Sequence, residues 1–175
     1  MNAKIQAPGH DTDSRKHKIS VFVRDQPGVL ARIAAVFSRR GYNIESLIVS
    51  PAAKKGFSRT TITCSGDLAT LDQIIKQLAK LIDVVHATDH TDEAVVETEI
   101  ALIKLRVPPE HRTHIFQIVE LYKAKIMDYN ADSLILRVYG ASDKLDHFVN
   151  LLRPYEILEL VRSGCIAMAR GDAQT

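Results

Sequence analysis

Lys18-Ile19-Ser20-Val21-Phe22-Val23-Arg24-Asp25-Gln26-Pro27-Gly28-Val29-Leu30-Ala31-Arg32-Ile33 is the stretch on which the reading of this 175-residue chain turns. Its first six residues are rich in β-branched and aromatic side chains, which suit a pleated, half-buried strand. Pro27-Gly28 interrupts that pattern. Val29, Ile33 and Phe37 then recur at helical spacing, and Leu30, Ala34 and Val36 widen the stripe. Proline is favoured just inside a helix start, because the N–H it lacks would have had no partner there, so the helix is expected to begin around Pro27. Gly41, after Arg39-Arg40, is a good stop.

Working outward, two strands are expected at residues 43–50 and 57–65, joined by a hairpin loop at 51–56. Asp67 is placed to cap a second helix, in which Leu71, Ile74, Ile75, Leu78 and Leu81 share a face. Val84-Val85-His86-Ala87 closes the run as a strand. The order so far is βαββαβ, the ferredoxin-like arrangement.

After a polar stretch around His90-Thr91-Asp92-Glu93 the pattern starts again. Glu99, Ala101, Ile103, Leu105 and Val107 alternate as a strand does, and Pro108-Pro109 ends it. A helical stripe of Ile115, Ile118, Val119 and Tyr122 follows, then strands at 125–129 and 133–140 with a turn at Asn130-Ala131-Asp132. Ser142 is the expected cap of a helix carrying Leu145, Phe148, Val149 and Leu152. Pro154 stops it, and residues 155–161 form another strand. Cys165-Ile166-Ala167-Met168 has the make-up of an added edge strand. The fold class is α+β: two ferredoxin-like units, repeated in topology rather than in sequence.

Composition narrows the function. Hydrophobic residues are 46% of the chain, enough for a packed core, and the formal net charge of +2 is far from the strong basic bias of a nucleic-acid binder. No apolar run approaches the roughly 20 residues that span a bilayer. Met1 to Ser14 is polar, without the apolar middle of a secretory signal, and reads with Arg15 and Lys16 as a disordered arm. Two cysteines far apart, Cys64 and Cys165, fit a reducing, cytoplasmic setting better than a disulfide framework. Cys64 on its strand reads as a small buried hydrophobe.

The strand-to-helix turn is the candidate site. A helix start offers backbone N–H groups without internal partners and the positive end of the dipole, which suit a carboxylate. Gly28 lets a ligand approach the backbone closely, and Val29 and Leu30 set apolar surface beside it. The combination matches an aliphatic amino acid. The plain alternative is that Pro27-Gly28 only starts a helix.

Asp25-Gln26-Pro27-Gly28-Val29-Leu30-Ala31-Arg32-Ile33 resembles the signature turn of ACT domains, which are small-molecule-sensing modules. Phe37-Ser38-Arg39-Arg40-Gly41-Tyr42-Asn43-Ile44-Glu45-Ser46-Leu47 is more specific still and resembles the regulatory subunits of acetolactate synthase. The likeness continues through Ser58-Arg59, Gln77-Leu78-Ala79-Lys80-Leu81-Ile82-Asp83-Val84 and Glu97-Thr98-Glu99-Ile100-Ala101-Leu102-Ile103-Lys104. It extends to Ala141-Ser142-Asp143-Lys144-Leu145-Asp146, Arg162-Ser163-Gly164 and Ala169-Arg170-Gly171-Asp172 and is weakest around residues 108–129.

That resemblance implies a division into a disordered arm at 1–16, an ACT domain at 17–90 for effector binding and dimerisation, a linker at 91–97, and a domain at 98–175 that activates the catalytic subunit. It implies a homodimer through the ACT domains. The turn residues Asp25, Gln26, Pro27, Gly28, Val29 and Leu30 of one copy then face Asn43 and Ile44 of the other across a branched-chain amino acid, with valine the first candidate. Asp25 stands where many relatives carry Asn: a carboxylate there either strengthens the hold on an ammonium group or repels the ligand carboxylate. The implied partner is the large catalytic subunit of acetolactate synthase, which holds thiamine diphosphate, magnesium and FAD. No cofactor and no catalytic residue is expected in this chain.

Other features carry blander readings. His111 and His114, three apart, and His86 and His90, four apart, lack a third ligand, so surface histidines are expected and no metal site. The basic run Arg15-Lys16-His17-Lys18, with Lys54-Lys55 and Arg59, has no aromatic residues interleaved and reads as solvated surface. No nucleophile–base set, paired-carboxylate motif or phosphate loop is recognisable. The rival reading is an ACT-containing regulator, responsive to a metal or an amino acid, that acts without an enzyme partner. It lacks a spare DNA-reading element, since both halves are used up by the two units.

Overall fold

A computed structural model describes residues 15–172. The first unit runs β1 (Arg15–Arg24), α1 (Val29–Arg39), β2 (Ile44–Pro51), β3 (Phe57–Gly66), α2 (Leu68–Leu78) and β4 (Val84–Asp89). Its sheet is antiparallel in the order β2-β3-β1-β4. Ile19, Val21 and Val23 on β1 and Ile62 and Cys64 on β3 point to one face. There they meet Val29, Ile33 and Phe37 of α1 and Leu71, Ile74 and Leu78 of α2, in a core with all eleven side chains buried. The period-2 and period-3.6 stripes of the sequence interlock in this layer. Burial, with the charges of Glu45 and Asp89 adding to it, pushes the Cys64 thiol up to about 12, so it stays protonated and packs as a hydrophobe.

The second unit repeats the plan with β5 (Val95–Arg106), α3 (Arg112–Leu121), β6 (Lys125–Tyr129), β7 (Ser133–Gly140), α4 (Ser142–Leu152) and β8 (Glu156–Arg162), in the order β6-β7-β5-β8. A final strand, β9 (Ile166–Ala169), pairs with residues 95–98 of β5. Ala101, Ile103 and Leu105, then Leu134, Leu136 and Val138, pack under Ile115, Leu145, Phe148 and Leu152. The opposite face of this sheet is open, with Ile100, Leu102, Tyr139 and Val161 between 42% and 56% exposed. No helix among the described residues is long and apolar enough to cross a membrane.

Several expectations need correction. Arg15 and Lys16, read as part of a disordered arm, begin β1, and residues 1–14 lie outside the described part. Residues 95–97, read as linker, belong to β5, because β9 supplies their ladder partners. The helix at Ser142 is capped by Ala141, which has no side-chain bond to give; the Ser142 hydroxyl instead donates to Glu99 at 2.8 Å. The basic run is not solvated throughout. His17 is fully buried, with Nε2 2.9 Å from the Gly66 carbonyl, and Lys18 pairs with Glu97. Asp67 does cap α2, accepting from the Thr70 N–H at 2.8 Å.

The Ser142–Glu99 bond belongs to a network that closes the second unit. Arg162 grips Glu99 through two nitrogens at 2.7 and 2.8 Å and also pairs with Asp146. Burial alone would raise the Glu99 carboxyl, but the hydrogen bonds from Arg162 and Ser142 and the Arg162 charge outweigh it and hold the group below the usual carboxylate range.

The two units touch along a seam. Lys18 of β1 pairs with Glu97 of β5, Arg15 pairs with Asp92, and a cavity of about 650 Å³ lies between them, lined from the first unit by Glu45, Ser46 and Thr63 and from the second by Ser142, Arg162 and Gly164.

Candidate functional site

Residues 25–30 form a single turn at one end of the first unit. Gly28 has φ 84° and ψ −7°, the left-handed conformation of the third residue of a type II turn, and the Val29 N–H reaches back to the Gln26 carbonyl at 3.4 Å. Pro27 therefore lies before the helix, not inside it: a left-handed residue cannot belong to α1, and Gly28 becomes its N-cap. The Arg32 N–H makes the first helical bond, to the Gly28 carbonyl at 3.1 Å. The N–H groups of Leu30 and Ala31 have no partner within the helix, as at any helix start. No acidic residue sits in the first turn of α1 to use up the positive end of the dipole.

The turn is held from both sides. Arg24 donates its N–H to the Asp83 carbonyl at 2.8 Å, and Asp25 donates its own to the Gly56 carbonyl at the tip of the β2–β3 hairpin at 2.9 Å. Arg32 reaches over the turn: a Cβ on Gly28 would lie 3.3 Å from its guanidinium, which is itself paired with the buried Asp83 at 2.5 Å. That cation adds to the attraction for an anion above Gly28.

Beneath lies a cavity of about 130 Å³. Val23, Val29, Leu30, Ile33 and Val49 give it an aliphatic wall, and Asp25, Gln26, Ser58 and Thr60 supply polar groups. The space is small, mostly apolar and rimmed by N–H donors, which fits a short branched side chain on an amino-acid head. Val49 and Thr60 were not singled out in the sequence, and Arg32 and Ser58 entered only through the family resemblance, without a role at this site. The alternation Ser58, Thr60, Ile62, Cys64 on β3 was the signal for two of them, since it puts both hydroxyls on the helix-covered face.

Asn43 and Ile44 are not part of this cluster. They follow the far end of α1, whose 11 residues span about 16 Å. Asn43 is exposed and Ile44 opens β2, an edge strand of its sheet. One chain keeps the two halves apart.

The histidine pairs do not form a centre. His111 and His114 both pack on Tyr155 and His86 lies against Phe22, whereas His90, expected at the surface, is buried and turns to Glu93 at 2.5 Å. Among the described residues no group of three or more His, Cys, Asp or Glu is placed to hold a metal ion. The fold does bring aromatic rings to the basic residues: Phe22 stacks on Phe57, with Arg59 and Lys54 over their rings.

Fold and turn together define the class: a protein of two ferredoxin-like units, the first of which is an ACT domain. Residues 19–86 match the family model for the AHAS small subunit-like ACT domain, and residues 98–171 match that for the small subunit of acetolactate synthase. A protein of Archaeoglobus fulgidus described as a probable acetolactate synthase small subunit is 45% identical over 157 residues, 90% of this chain and 98% of its own length. The acetolactate synthase small subunit of Mycolicibacterium smegmatis is 42% identical, over 89% of this chain and 91% of its own. The crystal structure of the acetolactate synthase small subunit from Thermotoga maritima superposes with a TM-score of 0.81 at 40% identity, over 91% of this chain and 99% of that one. The chain belongs to the family of acetolactate synthase small subunits.

Proposed function

We propose that this chain regulates acetolactate synthase: it associates with the large catalytic subunit, raises its activity, and makes it sensitive to a branched-chain amino acid, with valine the best fit. The observation that carries the reading is the Gly28 turn, where free helix amides and the Arg32 guanidinium stand over a small aliphatic cavity. The amides of Leu30 and Ala31 hold the ligand carboxylate, Asp25 takes the ammonium, and the Val23, Ile33 and Val49 wall takes the branched side chain. Two copies pair through the β2 edge, whose unpaired backbone groups invite a second strand. That pairing brings Asn43 and Ile44 of one copy to the turn of the other, where the Asn43 amide donates or accepts as the ligand requires.

Inhibition is allosteric. The ligand bridges two copies, favours one arrangement of the pair, and so shifts the equilibrium the catalytic subunit feels by its differential affinity for the two arrangements. The chain itself holds no cofactor; thiamine diphosphate, magnesium and FAD belong to the catalytic subunit. The test is to purify the chain with the large subunit from the same source and assay pyruvate condensation with each branched-chain amino acid. Raised activity that valine suppresses is the expected result. An unchanged rate on adding the chain overturns the reading.

A further inference from the structure

The seam between the two units has one contact too close to be incidental. Gly164 lies between β8 and β9 with φ +81°, and a Cβ there would come within 2.9 Å of the Ser46 Cβ, 3.1 Å of its Oγ and 3.2 Å of the Ile48 Cδ1. Ser46 and Ile48 are two apart on β2 and share its face, so a backbone segment of the second unit rests directly on that strand.

Both sides of the contact are placed to transmit movement. β2 opens at Ile44, directly after Asn43, and its pairing with β3 shifts register between Ile44 and Ser46. The extra residue there lets the Ile44–Ser46 segment shift against β3 as one piece while the rest of the sheet stays paired. The Gly164 segment, by contrast, is fastened. The Gly164 N–H bonds Glu99, Ser163 exchanges bonds with Ile100 at 2.9 and 3.0 Å, and Arg162 is locked to Glu99 and Asp146. A displacement of Ser46 is therefore handed to the Glu99–Arg162 network and to the start of α4. The neighbouring 650 Å³ cavity offers no competing role as a ligand site, because most of its lining charges already pair with each other: Lys18 with Glu97, Lys16 with Glu45, and Arg162 with Glu99 and Asp146.

We infer that the seat of Gly164 on Ser46 and Ile48 couples the two units, so that a ligand held at the start of β2 is felt by the second unit through this contact. Gly164 and Ser46 act as positioning residues and touch no ligand. The inference rests on the regulatory reading above, and two measurements keep the two apart: valine binding to the isolated full chain by calorimetry, and valine inhibition of the reconstituted enzyme.

Gly164→Ala forces the two units apart at the seat. Valine binding is expected to stay within about twofold of the parent chain, while the midpoint of inhibition moves at least tenfold away from the midpoint of binding. Ser46→Gly removes the Cβ and Oγ that the new methyl meets, so Ser46→Gly combined with Gly164→Ala is expected to bring inhibition back to within about threefold of the parent, which strain at φ +81° alone would not allow. If Gly164→Ala does not fold, Ser46→Gly by itself opens a gap at the same contact and should weaken inhibition about threefold with binding unchanged. Inhibition that tracks binding in every variant, or a double variant no better than Gly164→Ala, overturns the inference. Failure of the parent chain to bind valine or another branched-chain amino acid overturns the regulatory reading beneath it.

Discussion

The two units have the same strand order and the same pair of covering helices, yet they begin their first helices differently. In the first unit β1 leads through Pro27 to a left-handed Gly28, and α1 starts with no acidic residue in its first turn. In the second, β5 leads into Pro108-Pro109 and a short 3₁₀ turn, Pro109–His111, with Glu110 at the helix start. Two prolines carry no N–H, and Glu110 already supplies negative charge to the dipole. Arg112, the first residue of α3, turns away to the Asn130 and Ala131 carbonyls and the Tyr129 ring. One fold thus leaves helix-start amides uncovered by acidic side chains in one unit and closes the corresponding turn with prolines, Glu110 and Arg112 in the other. The scaffold sets where a site can be, and four or five turn residues decide whether it is there.

The sharpest way to break that contrast is Gly28→Asp. The new carboxylate competes for the Leu30 and Ala31 amides and repels a ligand carboxylate, and the residue must adopt φ 84°, costing about 1 kcal/mol more. Losing one charged hydrogen bond is worth about 1.5–3 kcal/mol, so valine sensitivity of the reconstituted enzyme should fall roughly 10- to 150-fold. Activation by the subunit should persist, because Ile33 and Phe37 of the core are untouched. The same change at Glu110 of the second unit should leave the inhibition curve in place. An unmoved curve for folded, bound Gly28→Asp would show that the turn is not the effector site.

The second unit has its own charged centre, and Glu99→Gln probes it. The variant leaves Asp146 as the only carboxylate paired with Arg162 and should lower stability at pH 7 by about 2 kcal/mol, read from denaturant midpoints. Because the Glu99 carboxyl is held below the usual range, its contribution is fully present above the unfolded-state value of about 4.3 and is lost as pH falls through the lower folded-state value. The gap between parent and variant should therefore close in acid. A gap that stays constant down to pH 2 would mean that the charge of Glu99 contributes nothing.

Helix caps give the smallest difference. Asp67 caps α2 and its carboxyl is held below the usual range by the Thr70 N–H, whereas Ala141 at the start of α4 has no side-chain bond to offer. Asp67→Ala should destabilise the chain, with the loss vanishing as pH drops below the usual aspartate range. Ala141→Ser should stabilise it by about 0.5–1 kcal/mol, since Ala141 already has the extended backbone a cap requires. Thermal midpoints check both signs.

Much of this architecture was legible beforehand. The alternation of Ala101, Ile103 and Leu105 and the helical stripes of Ile33–Phe37 and Leu145–Phe148 placed most strands and helices, although β1 and β5 begin three and four residues earlier than expected and α2 ends at Leu78, before Leu81. Asp67 declared its cap, and Cys165-Ile166-Ala167-Met168 its added strand. Gly28 was legible as a turn residue, although the turn's hydrogen bonds moved Pro27 out of the helix. What could not be read were pairings across the sheet. Nothing near Ser142 in sequence shows that a buried Glu99, 43 residues earlier, draws its hydroxyl away from the helix end.

The amino-acid sequence alone therefore determined the two βαββαβ units and the glycine turn, because periodic burial and the φ preferences of glycine and proline act between residues a few positions apart. The tertiary structure decided which side chains lie under that turn, that Asn43 stands at the far end of its own unit, and that Gly164 rests on Ser46. Those placements depend on strand register and on packing summed over many weak contacts between residues far apart in the chain, and no local spacing encodes them.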